Sequence, residues 1–371
     1  MAKEMSADLI NTHESNNEQF AIIGISYDFP NTTEDELFNN LKNKINFSKE
    51  LDDHRKEQIR GYYDSIDNPE IINFSKGSFL KDIDEFDYHF FRIPPKEAKL
   101  MDPAQRKLLE NAFHAFEDAG CSEKKLKGSR TGVYVGYATF VQSNYGLMAY
   151  SIDKSLMKDG MVGNISALMP ARISYFFDLK GPNILLDTAC SSSLTALYQA
   201  CDGIKNNDCE MALVAGVRVN LLPIENDYLS IGVQSSDFVT RAFDQTSDGT
   251  GIGEGIGCLV IKKLSKAIAD RDHIHAVIKG IAVNHDGASI GITAPNSESQ
   301  TDVIIKAWEK AGIDPEKMAF IQTHGTGTPL GDTIEMLGIS NAFKKYTNKR
   351  NICAISNVKS NIGHLYEASG M

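Results

Sequence analysis

The sequence predicts an α/β protein with a parallel sheet, because the order strand, helix, strand is found twice along the chain. In the first instance, an apolar run at residues 183–186 precedes apolar side chains at helical spacing, and another apolar run follows at 211–219. The residues at helical spacing are Leu194, Leu197, Cys201 and Ile204. A strand, a helix and a strand in this order form a βαβ unit, whose strands lie parallel.

The second instance lies near the end of the chain. Apolar runs at 318–322 and 352–356 predict strands, and the segment 333–343 between them predicts a helix. The two instances share no repeat at the level of individual residues. We therefore predict two units of similar build but different sequence.

Composition is that of a globular protein and excludes several function classes. The 371 residues are 42% hydrophobic and 23% charged, so the chain can bury a large core. The formal charge is −11, and no basic block alternates with aromatic residues, which disfavours nucleic-acid binding. No apolar run approaches the length of a membrane span. Metal-ligand spacings are missing too, so we expect no metal site.

The cysteines indicate a reducing compartment. They show no CxxC pair, no regular spacing and no accompanying secretory signal. We therefore expect reduced thiols in a cytoplasmic protein. The six residues are Cys121, Cys190, Cys201, Cys209, Cys258 and Cys353.

The remaining elements are predicted from local patterns, taken in chain order. Residues 1–19 are polar and aperiodic, which indicates a flexible leader. Apolar runs predict strands at 20–25, 132–136, 258–261 and 275–281, the last opening a second half. Helical spacing predicts helices at 34–41, 108–120, 264–270 and 299–311. Two stretches are expected to be irregular, namely 45–78, an insertion outside the core, and 139–160, the rim of a binding site.

Residues 249–257 are unusually rich in glycine. The spacing Gly251-x-Gly253 lacks the third glycine of a dinucleotide-binding fingerprint and precedes a strand instead of a helix, which disfavours a nucleotide cofactor. Because glycine has no side chain, other backbone segments can approach it closely. We therefore predict close backbone packing here.

Cys190 lies at the predicted turn between the strand at 183–186 and the helix that follows it. The free N–H groups and the positive dipole at the start of a helix favour an anion. This position is therefore expected to lower the pKa of the thiol and to supply the nucleophilic thiolate. The alternative is a small buried cysteine that packs the start of the helix. Small polar residues on both sides favour the nucleophile.

Two histidines follow the predicted strands of the second unit. His324 begins a His-Gly-Thr-Gly-Thr loop, after which Asp332 is expected to cap the next helix. Lys359 and His364 follow the strand at 352–356. A glycine loop with an incidental histidine is the alternative, and a phosphate-binding loop is disfavoured because its Lys-Ser/Thr ending is missing.

Together these residues occupy equivalent strand ends, which is where parallel α/β sheets place their sites. A cysteine with two histidines and a nearby lysine suits acyl transfer onto sulfur, with stabilisation of a developing enolate oxygen.

Three motifs resemble the signature motifs of the β-ketoacyl synthase family. They are DTACSSSL at 187–194, HGTGTPLGD at 324–332 and VKSNIGH at 358–364. They most resemble the ketosynthase domains of modular type I polyketide synthases, and the flanking stretches 101–106 and 282–287 agree. The resemblance extends from about residue 20 to the last residue. Gln322, Thr323, Thr333 and Tyr366 depart from the residues that are frequent in the family, and Tyr366 stands in place of a frequent glutamate.

The resemblance implies a thiolase-like α/β fold, with two similar halves in a five-layer α-β-α-β-α arrangement, working as a homodimer. The N-terminal half, 20–268, carries Cys190, and the C-terminal half, 269–371, carries His324 and His364. The family continues beyond Met371 with a glycine-rich Gly-Phe-Gly-Gly-Thr-Asn-type loop. The C-terminal half is therefore expected to lack its final part, either in a fragment of a longer synthase or in a truncated protein.

The resemblance also implies a reaction. Cys190 takes an acyl chain from the phosphopantetheine thioester of an acyl carrier protein. His324 and His364 act as neutral N–H donors to the thioester oxygen of a malonyl extender while it loses CO₂. The resulting carbanion attacks the acyl-cysteine and releases a β-ketoacyl carrier protein. Lys359 supports the electrostatics and orients the histidines.

Further expectations concern binding. Thr326, Thr328 and Asn361 are expected to contact the substrate. No cofactor is expected to bind to this domain itself, since the phosphopantetheine belongs to the carrier protein. Other synthase domains are the remaining expected partners.

Two alternatives remain. The first is a non-elongating or inactive truncated ketosynthase that binds carrier protein as a scaffold; the presence of His364 counts against it, because non-condensing relatives often lose this histidine. The second is a degradative thiolase, which needs a second cysteine in the stretch beyond Met371. Cys353, the nearest one upstream, lies inside an apolar strand.

Overall fold

The computed structural model describes residues 18–30, 34–67, 72–139, 144–225 and 233–371. The predicted leader lies outside these ranges except for its last two residues. The strands are β1 (Phe20–Asp28), β2 (Thr131–Gly136), β3 (Asn183–Leu186), β4 (Met211–Arg218), β5 (Gly255–Lys263), β6 (Ala276–Ile278), β7 (Phe320–Gln322) and β8 (Ala354–Ser356).

Thirteen α-helices lie in the described ranges. They are α1 (Glu34–Lys42), α2 (Asp53–Ser65), α3 (Pro95–Leu100), α4 (Pro103–Asp118), α5 (Glu123–Leu126), α6 (Tyr145–Ile152), α7 (Leu156–Asn164), α8 (Leu168–Phe177), α9 (Ser192–Lys205), α10 (Leu264–Asp270), α11 (Ser297–Ala311), α12 (Pro329–Lys344) and α13 (Lys359–Ile362). Short 3₁₀ helices lie at Pro315–Lys317 and Tyr366–Ala368. In the ranges that the structure describes, no helix is both long enough and apolar enough to span a membrane.

The first six strands form one mixed sheet in the order β3-β2-β4-β5-β1-β6. Strand β2 lies parallel to β3 on one side and to β4 on the other. Strand β5 runs antiparallel to both β4 and β1. Because β3, α9 and β4 follow one another and both strands flank β2 in parallel, the predicted βαβ unit is confirmed.

Helices cover both faces of this sheet. Successive side chains of a strand point to opposite faces, so each strand contributes to the packing on both. Val133 and Val135 of β2 point to one face and pack in the same core cluster as Ala112 of α4. Tyr134 points to the other face and packs in a separate cluster with Ala200 of α9. Helix α9, which begins next to Cys190, is therefore fixed to the sheet along its buried side.

The second unit is smaller. Strands β7 and β8 form a parallel pair, with Ile321 opposite Ile355, and α12 connects them. Helix α11 packs near α12 through a cluster that contains Ile305, Trp308 and Ala342. The predicted strand–helix–strand order is thus confirmed in the second unit as well.

The strand predicted at 275–281 is present as β6, Ala276–Ile278. Strand β6 is shorter, and it pairs antiparallel with β1, Phe20 lying opposite Ile278. It therefore lies at the edge of the first sheet.

The prediction that residues 45–78 lie outside the core is wrong. They contain α2, and both Leu51 and Ile59 are buried, although 68–71 lie outside the described residues. The guanidinium of Arg55 is buried as well, where it forms an ion pair with Glu254. A polar stretch therefore contains core positions. The charge of Arg55 can be buried because Glu254, 199 positions away, pairs with it.

Two further expectations need correction. Residues 139–160, predicted to be irregular, contain α6 and the start of α7, although 140–143 lie outside the described residues. Strand β3, predicted to be buried, leaves Asn183 and Ile184 exposed. The reason is its place at the edge of the sheet, where it pairs with β2 on one side only.

Candidate active site

Cys190 lies on a sharp turn between β3 and α9. Ala189, immediately before it, has φ of 53°, a left-handed conformation that a residue with a side chain rarely adopts. The fully buried Ser192 stabilises the turn, since its hydroxyl accepts from the Thr188 N–H at 2.9 Å and donates to the Ala189 carbonyl at 2.7 Å. The turn therefore holds the half-buried Cys190 at the start of the helix, as the sequence predicts.

His364 lies directly against this cysteine. Its Nε2 is 3.1 Å from the Sγ of Cys190. Its Nδ1 accepts from the backbone N–H of Tyr366 at 3.2 Å and lies 2.8 Å from the hydroxyl of Ser369. Because a backbone N–H can only donate, Nδ1 is unprotonated, and the proton of the neutral ring lies on Nε2 and faces the sulfur. Burial, together with the positive charge of Lys359, lowers the pKa of His364 well below its usual range.

The backbone of His364 is held by the glycine-rich segment. The His364 N–H donates to the carbonyl of Gly251 at 2.8 Å, and the Gly253 N–H donates to the carbonyl of His364 at 3.0 Å. A Cβ atom on Gly253 would lie only 2.3 Å from the carbonyl oxygen of Ile362. The predicted close packing at 249–257 is therefore confirmed, and it positions His364 against the first sheet.

His324 and Lys359 come together from the ends of β7 and β8. The buried ammonium of Lys359 donates to the carbonyl of His324 at 2.7 Å and lies 3.4 Å from its Nδ1. Exclusion of water and the charge of Lys359 lower the pKa of His324 to about 4, although the residue keeps an exposed edge. Burial likewise lowers the pKa of Lys359 to about 8, against the opposing charge of Glu335.

The two imidazoles are neighbours. The ring centroids of His324 and His364 are 5.4 Å apart, and the ring planes are nearly perpendicular, at 84°. Cys190, both histidines and Lys359 are thus brought into one cluster, in which the rings are neutral and the lysine supplies positive charge.

The expectation of a lowered thiol pKa is wrong. Burial raises the pKa of the Cys190 thiol, and the nearby carboxylate of Glu367 raises it further, while Lys359 opposes both. The start of a helix favours a thiolate, but here desolvation of the sulfur outweighs that effect.

The other predicted residues have different surroundings. The hydroxyls of Thr326 and Thr328 are 3.0 Å apart, in the loop that begins with His324. The side-chain amide of Asn361 donates to the carbonyl of Ile45 at 2.8 Å, so this amide anchors another loop. Asp332 does not cap its helix, because its carboxylate accepts from the backbone N–H groups of Gly327 and Phe243.

Glu335 also belongs to the site, although it is not among the residues predicted from the sequence. Its carboxylate accepts from the N–H of His324 at 2.6 Å and from that of Gly325 at 2.7 Å. The spacing in the sequence could have indicated it, because Glu335 lies three residues after Asp332 and therefore on the same face of α12. Both carboxylates serve as acceptors for the His324 loop.

This arrangement defines a class of protein. A cysteine on a strand-to-helix turn, facing a neutral imidazole N–H, is the geometry of an acyltransferase that uses a cysteine nucleophile. The metal-ligating side chains in the described ranges form no group of three or more that could hold a metal ion.

Comparison with known proteins gives the family. The family model described as "Beta-ketoacyl synthase, N-terminal domain" matches residues 17–267, and "Beta-ketoacyl synthase, C-terminal domain" matches 275–371. The chain belongs to the β-ketoacyl synthase family and is a ketosynthase domain of the modular polyketide synthase type.

Two curated relatives come from Bacillus subtilis (strain 168). The chain is 41% identical to polyketide synthase PksL over 369 residues, which cover 96% of this chain and 8% of that protein. It is 40% identical to polyketide synthase PksM over 372 residues, which cover 100% of this chain and 8% of that protein. The chain therefore spans a small part of the curated relatives it matches.

Solved structures agree on the fold. The ketosynthase from module 6 of the bacillaene synthase of Bacillus subtilis 168 superposes with a TM-score of 0.83 at 39% identity, covering 95% of this chain and 59% of that one. The oxazolomycin ketosynthase domain OzmH KS7 of Streptomyces albus JA3453 superposes with a TM-score of 0.85 at 36% identity, covering 95% of this chain and 61% of that one. The thiolase-like α/β fold implied by the motifs is thereby confirmed.

Proposed function

We propose that this chain catalyses a decarboxylative Claisen condensation in polyketide biosynthesis, with Cys190 as the nucleophile. The observation that carries the proposal is the Nε2–H of His364, 3.1 Å from the Sγ of Cys190, with the ring of His324 5.4 Å from that of His364. One sulfur and two neutral imidazoles in one place provide both an acyl acceptor and donors for a developing negative oxygen.

The first half-reaction loads the enzyme. The sulfur of Cys190 attacks the carbonyl of an acyl thioester on the phosphopantetheine of an acyl carrier protein. A new carbon–sulfur bond forms, the old one breaks, and the proton of Cys190 leaves on the carrier protein's thiol. The raised pKa of the Cys190 thiol keeps it protonated before the substrate binds. The His364 N–H and Lys359 therefore stabilise the thiolate only as it forms.

The second half-reaction makes the carbon–carbon bond. The bond between the malonyl carboxylate and its α-carbon breaks, CO₂ leaves, and the electron pair becomes an enolate. The N–H groups of His324 and His364 donate to the enolate oxygen, an effect of about 3 kcal/mol per donor in comparable sites. The carbanion then attacks the acyl-cysteine, the carbon–sulfur bond to Cys190 breaks, and the sulfur takes up a proton from the solvent, which restores the thiol.

Lys359 has two tasks in this proposal. Its contact with the carbonyl of His324 fixes the loop, and its charge favours neutral imidazoles beside it. Thr326 and Thr328 follow His324 directly, which suits contact with the pantetheine arm. Asn361 fits a substrate role less well, because its amide N–H already donates to Ile45.

The proposed partners are an acyl carrier protein, other synthase domains and a second copy of this chain. The exposed edge of β3 supports a homodimer, since an unpaired strand edge offers a row of N–H and C=O groups to another strand. No disulfide joins the six cysteines, which supports a cytoplasmic location.

Intact-mass measurement after incubation with acyl and malonyl carrier proteins tests the function. We expect the mass of one acyl group on the chain, lost when malonyl carrier protein is added and a β-ketoacyl carrier protein appears. Cys190→Ala should show neither step, whereas Cys353→Ala, a half-buried cysteine elsewhere, should show both.

Product formed by Cys190→Ala would overturn the proposal. Acylation of Cys190 without any decarboxylation would instead support the non-elongating alternative.

A further inference from the structure

Tyr366, the residue that stands where the family frequently has glutamate, stacks on His364. The two ring centroids are 4.7 Å apart, and the planes differ by only 8°. The two residues are only two positions apart, and the chain turns at Tyr366, which has a φ of 45°. The same turn brings the Tyr366 N–H to the Nδ1 of His364.

The tyrosine ring is itself anchored to the core sheet. The guanidinium of Arg218, the last residue of β4, lies 4.5 Å from the centroid of the Tyr366 ring, a cation–π contact. Arg218 in turn forms an ion pair with the buried Glu367 at 3.5 Å. The three residues therefore connect the imidazole of His364 to a strand of the first sheet.

These contacts constrain different movements of the imidazole. The hydrogen bonds to Nδ1 set the direction of the ring within its own plane. The stacked ring opposes tilting of that plane, because tilting would lose the favourable contact of two stacked aromatic rings. Both constraints are needed to keep the Nε2–H directed at the sulfur, because hydrogen bonds weaken quickly with angle.

We propose that Tyr366 is a positioning residue: its ring, held by Arg218, fixes the plane of the His364 imidazole so that the Nε2–H faces the Sγ of Cys190. Its effect on catalysis rests on the function proposed above, whereas its effect on the thiol does not. An aliphatic side chain at this position would fill much of the space without stacking.

Two substitutions separate the ring from its hydroxyl. Tyr366→Leu removes the stacked ring, and Tyr366→Phe retains it. Tyr175→Leu is the matched control, because this tyrosine is 89% exposed. For each variant the pH profile of Cys190 alkylation by iodoacetamide is measured by intact mass, together with kcat and KM for malonyl carrier protein.

For Tyr366→Leu we expect kcat to fall about three- to tenfold, the range that the free energy of an aromatic pair allows, with KM changed less than twofold. We also expect alkylation to require a higher pH, because the thiolate loses a well-directed donor. Tyr366→Phe should restore both properties, and the control should match the unsubstituted chain.

The proposal is overturned if Tyr366→Leu keeps the original alkylation profile and kcat, even when it melts at a lower temperature. It is equally overturned if Tyr366→Phe is as impaired as Tyr366→Leu. If the unsubstituted chain does not condense at all, the proposed function fails, and the alkylation profiles alone decide the role of Tyr366.

Discussion

Lys359→Met should stabilise the protein and abolish the condensation proposed above. Burial lowers the pKa of Lys359 from 10.5 to about 8. Each unit of pKa corresponds to about 1.4 kcal/mol, so at pH 7 the charged lysine costs the folded state about 3 kcal/mol relative to a neutral side chain. Methionine has similar length and no charge. Loss of the hydrogen bond to the His324 carbonyl offsets about 1 to 2 kcal/mol of the stability gained by the substitution.

The sign of the pH dependence makes this prediction specific. Below about pH 8 the lysine is charged in both states, and the full cost applies. Between pH 8 and 10.5 the unfolded chain binds more protons than the folded one, so stability rises with pH as the folded lysine loses its charge. The advantage of Lys359→Met should therefore be largest at pH 7 and less than half as large at pH 9.5.

Urea unfolding followed by circular dichroism at both pH values measures this advantage. The matched control is Lys317→Met, since the side chain of Lys317 is 84% exposed and the substitution should change the free energy of unfolding by less than about 0.5 kcal/mol. The reasoning is refuted if Lys359→Met is less stable than the unsubstituted chain at pH 7. An advantage that is the same at both pH values would also refute it.

Two further substitutions test how the site is supported. Arg55→Met leaves the fully buried carboxylate of Glu254 without its bidentate partner, so urea unfolding should show a loss of about 3 to 5 kcal/mol, and a loss below 1 kcal/mol would contradict the role of this ion pair. Gly253→Ala places a methyl group 2.3 Å from the Ile362 carbonyl oxygen and should cost about 1 to 3 kcal/mol and lower kcat. Gly61→Ala, at an exposed position of α2 where the added methyl group meets nothing within 4 Å, should instead be neutral or stabilising in the same assays.

The parts predicted correctly from the sequence depend on local patterns. The βαβ unit around Cys190 is set by apolar periodicity within about 35 residues, and its turn could be placed from that alone. The position of His364 after β8 follows in the same way. The family motifs then indicate which of these residues act together, a grouping that periodicity cannot supply.

The parts missed depend on contacts between distant residues. The burial of Arg55 could not be predicted from its polar neighbours, because its partner Glu254 lies 199 positions away. The raised pKa of the Cys190 thiol follows from burial and from Glu367, neither of which is visible at the start of a helix. The glycine-rich segment was correctly predicted to pack closely, but its partner, the backbone of His364, was not.

These long-range contacts divide the support of the two histidines between different parts of the molecule. His364 is tied by its backbone to Gly251 and Gly253, just before β5, and by its ring to Tyr366, which Arg218 of β4 contacts. His324 is tied to Lys359, which follows β8, and to Glu335, which lies within α12. The ring centroids of the two histidines are 5.4 Å apart, so the two sets of contacts support neighbouring imidazoles. In the proposed reaction, decarboxylation uses both imidazoles and loading of Cys190 relies on His364. A disturbance of β7–α12–β8 should therefore impair decarboxylation more than loading.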